Sequence, residues 1–359
     1  MRIGICTGGG DAPGLNAAIR GVVLAAGERG WETLGIGRGF DGLLGEAAVK
    51  ELRPDDVREI THLGGTILGT TNRGNPFRWP RRRTDGGWEE VDRSGDVIAG
   101  ARSHRLEAVV VIGGDGTLRI AHDLGLKGLP VVGIPKTIDN DVAGTAASLG
   151  YHTAVDTATD AIDRVRSTAE SHERVMVLEV MGRHAGWIAT FSGIAGGADV
   201  ILVPEIPIDL DEVCDLILRR HSRGKSFSIV VVAEGAQFVE KPGAEGELVL
   251  QEAQKDEFGH VRLGGISQVL ARAIEKRTKF EARYVVLGHI QRGGSPTAHD
   301  RVLATRFGVF ATEMVHRGEF GKMAALQGSR IVAVPLAEAT ATLKTVDMGI
   351  YGIAKEFFG

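Results

Sequence analysis

Two carboxylates two residues apart, Asp139 and Asp141, close the run Pro135-Lys-Thr-Ile-Asp-Asn-Asp141 directly after a short apolar stretch. An aspartate within hydrogen-bond reach of a primary alcohol can take its proton as an O–P bond forms, while a second acid sits near a metal ion; the pair suits phosphoryl transfer to a hydroxyl. An Asn/Asp-rich turn has the same composition, and the run alone does not separate the two readings. Gly113-Gly-Asp-Gly-Thr117 offers backbone amides to a phosphate and Asp115 to Mg²⁺, against the plainer reading of a tight turn whose aspartate caps the next helix. Thr7-Gly-Gly-Gly-Asp11, with Pro13-Gly14-Leu15-Asn16 behind it, has the composition of a dinucleotide fingerprint. The glycine spacing fits only loosely, and Gly35-Ile-Gly-Arg38 stands where an acidic residue is expected, which favours a loop that cradles phosphate over a nicotinamide site.

The cations are the most discriminating set. Arg174 begins one apolar run and Arg183 ends it; Arg283 begins another, and His289 and Arg292 follow its end. One such arginine is usually a solvated charge, but several bracketing two strands point to anion recognition. Met181-Gly-Arg-His184 and His289-Ile-Gln-Arg292 add polar groups after these same two runs, and Glu234-Gly235 after a third.

The elements that must position these groups follow from periodicity. Short runs, many β-branched, at 3–6, 108–112, 131–134, 175–180, 227–233 and 284–287 read as buried strands, and stretches at 15–29, 153–166, 210–221 and 266–277 carry a helical period. Alternation of the two predicts an α/β fold with mostly parallel sheets covered on both faces, whose ligands bind beyond the carboxyl ends of the strands. At 359 residues, two lobes are expected with the active site in the cleft between them. The 51 glycines fall after apolar runs, as turns and phosphate loops do. Residues 72–104, rich in Gly, Arg and Asp without a clear period, read as a surface loop or hairpin, with Arg81 to Arg83 on its solvated face. A net charge of -4 argues against nucleic acid as a partner. Two cysteines, Cys6 in a strand and Cys214 in a helix, with neither a membrane-length apolar run nor a leader-like start, predict a cytoplasmic protein without disulfides.

Together these runs resemble the phosphofructokinase family over nearly the whole chain, from Met1 through Gly318-Glu-Phe-Gly321. Val180-Met-Gly-Arg183, the 135–141 run and Leu287-Gly-His-Ile-Gln-Arg-Gly-Gly-Ser295 look like family signatures in the family's order. Ala169-Glu-Ser-His-Glu-Arg-Val-Met176, Gly182-Arg-His-Ala-Gly-Trp187 and Asp300-Arg-Val-Leu-Ala-Thr-Arg306 resemble its actinobacterial-type, mixed-substrate branch.

The resemblance implies two Rossmann-like three-layer lobes: residues 1–150 for the donor, 151–290 for fructose 6-phosphate, 291–336 returning to the donor lobe, and 337–359 as a helical segment. It implies a glycolytic enzyme that moves the γ-phosphoryl of Mg-ATP to the 1-hydroxyl of fructose 6-phosphate. Asp139 would be the general base, Thr137 and Ile138 would line the transferred group with Asp141 near the metal, and Arg183 would stabilise charge on the phosphoryl oxygens. Met181, Gly182 and Glu234 would hold the sugar, and Arg174, Arg283, His289 and Arg292 its 6-phosphate, with Ile290 and Gln291 between. The arginines matching Arg174 and Arg283 reach across from a neighbouring subunit in the family, implying a homodimer or homotetramer. Gly10, Gly114, Asp115, Gly116 and Thr117 would hold the donor, with Asp115 on Mg²⁺.

Gly116 and Lys136 bear on donor choice. Pyrophosphate-using relatives carry an aspartate at the position of Gly116, where it repels a nucleotide α-phosphate; glycine leaves that space open and favours ATP. Lys136 matches pyrophosphate enzymes, but an extra lysine can find water or a carboxylate. The family's donor-contacting arginine falls at Asn72, leaving Arg73 as a substitute, and the basic effector positions survive only in part, at Arg20 and Arg166, with Leu24 and Ser226 breaking the set. The alternatives are a pyrophosphate-dependent enzyme on the same fold, an NAD kinase, which shares the Gly-Gly-Asp-Gly-Thr run (as do diacylglycerol kinases) but does not need the 6-phosphate set, and a non-catalytic sugar-phosphate sensor, which has no reason to keep Asp139, Asp141 and Arg183.

Overall fold

The computed structural model describes residues 1–72, 74–239 and 265–358. In chain order its elements are β1 (Arg2–Thr7), α1 (Leu15–Gly27), β2 (Glu32–Ile36), β3 (Val49–Glu51), β4 (Trp79–Arg82), β5 (Trp88–Val91), α2 (Ser94–Ser103), β6 (Ala108–Gly113), α3 (Asp115–Leu126), β7 (Val131–Pro135) and α4 (Tyr151–His172). They continue with β8 (Val175–Val180), α5 (Trp187–Ala195), β9 (Val200–Leu202), α6 (Leu210–Ser222), β10 (Ser228–Ala233), α7 (Ile266–Thr278), β11 (Ala282–Val286), α8 (Ala298–His316), β12 (Lys322–Gln327), β13 (Arg330–Pro335), α9 (Leu336–Ala339) and α10 (Met348–Lys355). Each of the six apolar runs lies on a strand.

The chain divides into two compact units, Met1–Thr153 with Arg292–Leu343, and Ala154–Gln291 with Lys344–Gly359. The first is built on a seven-stranded sheet, β13-β12-β7-β6-β1-β2-β3, parallel except for its two outermost strands. β1, β6 and β7 are central and almost wholly buried, as continuous apolar runs require when helices cover both faces. On one face α1 and α8 approach backbone to backbone: a Cβ on Gly21 would lie 2.8 Å from the Thr305 carbonyl oxygen, and one on Gly308 2.5 Å from that of Ala18. Phe307, fully buried, fills the core beneath them.

The second unit is built on a four-stranded, all-parallel sheet, β11-β8-β10-β9. β8 and β10 are buried throughout, and β11 is an edge strand with Tyr284 and Val286 exposed. Glu179, buried within β8, accepts hydrogen bonds from Gly265 N, Ser267 N and Ser267 Oγ, satisfying amides at the start of α7 that would otherwise lack partners.

The segment 72–104, expected as a surface loop or hairpin, contains the expected hairpin and, beyond it, a helix. β4 and β5 pair antiparallel, with Arg81 on Glu89 and Arg83 on Asp85 at its solvated surface. Beyond it α2 forms because Val97 and Ala101, one turn apart, bury against the core, while Asp92 accepts from Ser94 N at 2.8 Å. Cys6 and Cys214 are both buried and free. No helix among the described residues is long and apolar enough to cross a membrane.

Candidate active site

In the first unit, the loops that follow β1 and β6 meet over Thr117. A Cβ on Gly8 would lie 2.7 Å from Thr117 Cγ2 and one on Gly113 2.4 Å from Thr117 Cβ, so the two loops touch only because both positions are glycine. Gly8 N donates to Ile112 O at 3.0 Å and Lys136 N to Gly113 O at 2.9 Å, extending the parallel ladder into the loops. Asp115 opens α3 behind an extended Gly114, which as the N-cap residue offers no side chain. Asp115 is the first residue of α3, and its carboxylate stands 3.5 Å from Arg119 one turn on. A Cβ on Gly116 would meet nothing within 4 Å.

Lys136 is 3% exposed, and its Nζ donates to the Gly10 carbonyl. The partner expected for this lysine, water or a carboxylate, is replaced by a backbone oxygen of the loop after β1. Burial, then the neighbouring Arg292 guanidinium, push the amine down to about 7, with Asp11, Asp141 and Asp139 pulling the other way. Arg292 itself donates to the Asp11 carbonyl at 3.4 Å. Sequence reasoning assigns Asp11 no role; the signal for it is its place at the end of the first glycine run.

The acidic pair is set by a turn. Asn140 stands between the aspartates with φ 53, a left-handed conformation that asparagine tolerates. It is held there by Ser148 N donating to its Oδ1 at 3.1 Å and by its own Nδ2 reaching Ala146 O at 3.3 Å, while Ser148 Oγ donates to Thr137 O at 2.7 Å. Asp139 N donates to Thr137 Oγ1 at 3.2 Å, and Asp141 Oδ1 is buried without a hydrogen-bond partner. The Ile138 side chain is fully buried against Gly150, which leaves only its backbone on the site side. Asp300, also fully buried, fixes the chain that follows, accepting from Gly150 N at 3.1 Å, Thr153 N at 2.8 Å and Thr153 Oγ1 at 2.5 Å.

In the second unit, the ends of β8 and β10 bring Met181, Gly182, Arg183 and Glu234 together. Ala233 pairs with Val180, Glu234 N donates to Val180 O at 2.8 Å and Gly235 N to Gly182 O at 3.1 Å. Gly182 has φ 134, and a Cβ there would stand 2.8 Å from Ala185 O. Arg174 and Arg283 lie at the opposite end of this sheet. Ala282 pairs with Val175, and both arginines bind Glu281, Arg174 at 2.8 Å. The six residues of β8 separate them from Arg183 by roughly 20 Å. The turn 288–292 exposes His289 and Ile290, while the Gln291 side chain is fully buried and its Nε2 donates to Gly288 O. Arg73 lies outside the described residues.

No three His, Cys, Asp or Glu side chains gather into a cage among the described residues. A Mg²⁺ that keeps its waters and takes other ligands from donor phosphates needs only one or two carboxylates, which Asp115 at the start of α3 can meet.

Two glycine-rich loops and an acidic pair at the ends of parallel strands, with arginines at the ends of others, are the arrangement of a phosphotransferase of the α/β class. The chain belongs to the phosphofructokinase family, whose model, described as Phosphofructokinase, matches residues 2–315. A pyrophosphate–fructose 6-phosphate 1-phosphotransferase of Amycolatopsis methanolica is 52% identical over 361 aligned positions, covering 100% of both chains. An ATP-dependent 6-phosphofructokinase of Chloroflexus aurantiacus is 50% identical over 346, covering 96% of this chain and 93% of the relative. The solved T-state phosphofructokinase of Pichia pastoris has the same fold, with a TM-score of 0.79 and 32% identity over 95% of this chain, which spans 35% of that longer one. Relatives that use either donor are equally near, so overall identity does not choose between ATP and pyrophosphate.

Proposed function

We propose that this enzyme transfers the γ-phosphoryl group of Mg-ATP to the 1-hydroxyl of fructose 6-phosphate. The observation that carries the choice of ATP is the open space at Gly116, where a side chain would meet nothing within 4 Å. A nucleotide's α-phosphate can occupy that space; a carboxylate placed there would repel it. Asp139, steadied by Thr137 and by the pinned Asn140, takes the proton of the attacking hydroxyl. Arg183 meets the charge that grows on the transferred oxygens. Asp115 would hold Mg²⁺, which neutralises donor phosphate charge.

Met181, Gly182 and Glu234 hold the sugar, with His289 and Arg292 on its phosphate. Arg174 and Arg283, at the far end of the sheet from Arg183, serve a sugar phosphate held by a second copy of the chain, which makes the working form at least a homodimer.

A second reading, pyrophosphate as donor, is favoured by Lys136, whose Nζ reaches from the end of β7 to the Gly10 carbonyl of the loop after β1, where its ammonium form would face a leaving phosphate. Steady-state formation of fructose 1,6-bisphosphate with ATP or pyrophosphate, on wild type and Gly116→Asp, decides between them. A Cβ at this position meets nothing within 4 Å, and comparing the rates with both donors separates a donor effect from a loss of folding. Turnover with ATP that Gly116→Asp abolishes supports the first reading; wild-type turnover with pyrophosphate alone overturns it.

A further inference from the structure

Two cations converge on Gly10. Lys136 Nζ donates to its carbonyl, and Arg292 Nη1 lies 2.9 Å from where a Cβ on Gly10 would stand. Gly9 also faces the lysine, with a Cβ there falling 3.4 Å from Lys136 Nζ. The charged groups that act on the Lys136 amine are Arg292, which opposes its protonation, and Asp11, Asp141 and Asp139, which favour it. A buried amine held by a carbonyl, with a guanidinium beside it, has its charge state set by what happens to that guanidinium.

We propose that binding of the sugar phosphate on Arg292 drives protonation of Lys136, so that filling the acceptor site charges the donor site. The proposal rests on the reading of Arg292 as a ligand of the 6-phosphate. A phosphate dianion on Arg292 cancels the positive charge that opposes the ammonium, and the proton comes from solvent. The ammonium then presents a cation to the phosphates of the donor over the Gly8–Gly10 loop. Because coupling is reciprocal, protonation of Lys136 strengthens sugar-phosphate binding about tenfold for each pH unit by which the lysine titration moves, and a donor that prefers the ammonium strengthens it in the same direction.

The test is calorimetric titration of the complete enzyme with fructose 6-phosphate alone, at pH 8, in HEPES and in Tris, whose different ionisation heats reveal protons taken up. At that pH the sugar phosphate has already lost its second proton, which leaves with a pKa near about 6, so uptake belongs to the protein. A lysine titrating near 7 is then about nine-tenths neutral. The expected result is an uptake approaching one proton per site at pH 8 that falls away at pH 6, is lost in Lys136→Met and is kept in His289→Asn, which removes the other titratable group assigned to the phosphate. Tight binding with the same heat in both buffers overturns the coupling, as does equal uptake in Lys136→Met. The pH dependence of the wild type decides the question even if the methionine variant does not fold. Absence of any sugar-phosphate binding overturns instead the reading of Arg292 on which the coupling stands.

Discussion

Gly235 lies so close to Arg183 that a Cβ on it would fall 1.9 Å from the Arg183 carbonyl oxygen. The loop after β10 thus presses against the backbone that carries the arginine, and glycine is the residue that permits it. Gly235→Ala must push the two loops apart by an ångström or more. The expected outcome is a fall in kcat of about a hundredfold or more, since misplacement on that scale costs a rate of this order. Steady-state kinetics alongside a thermal melt would show it, and a rate within threefold of wild type would mean that Arg183 does not depend on this contact.

Asp139→Asn keeps the shape of the acid and removes its basicity. Turnover should fall by about 10²–10⁴, with the KM for the sugar phosphate little changed. A KM that rises while kcat holds would make Asp139 a binding group and not the base.

Asn140 separates a conformational from a hydrogen-bonding contribution. Asn140→Gly keeps the left-handed backbone and loses the bonds to Ser148 and Ala146, whereas Asn140→Ala loses both, so alanine should cost about 1 kcal/mol more stability than glycine. Chemical denaturation of the two variants measures the difference, and equal losses would remove the backbone from the account.

Lys136 sets the sign of a pH effect on stability. Its amine titrates near 7 in the folded chain and at the ordinary 10.5 in the unfolded one, so between those values the unfolded chain binds a proton that the folded chain does not. Stability contributed by this group therefore rises with pH across that window, by at most about 1.4 kcal/mol per pH unit. Urea unfolding of the ligand-free protein from pH 7 to 9 should show a slope that is reduced in Lys136→Met; an unchanged slope would show that the amine is not depressed.

Arg183→Ala and Arg283→Ala test the assignment of the two ends of the second unit's sheet to different active sites. Each variant alone should be nearly inactive, and mixing them under conditions that exchange subunits should restore up to about a quarter of the rate in a dimer, as one site in such a pair regains both arginines. No recovery in a mixture shown to contain mixed dimers would place both arginines in one subunit's site.

Much of the fold was legible because β1, β6, β7, β8 and β10 are buried on both faces and so read as unbroken apolar runs. β9, three residues long, and β12, rich in alanine, carry no such pattern, and their pairing depends on neighbours distant in the chain. α2 escaped for a related reason: within a polar stretch, only Val97 and Ala101 mark its buried face strongly.

By itself the sequence determined which chemical groups this protein has and that they stand at strand ends, because an apolar run followed by glycines and acids dictates a buried strand and a tight polar loop locally. It also determined the glycine at 116, beside which a side chain meets nothing within 4 Å. Tertiary structure alone decided what those groups face. It buried Lys136 on the Gly10 carbonyl beside Arg292, set Asp300 under the start of α4, and separated Arg174 and Arg283 from Arg183 by the length of a strand. The physical reason is that charge state and reach depend on burial and on neighbours hundreds of residues away, as with Asp11 and Arg292, and no local pattern encodes them.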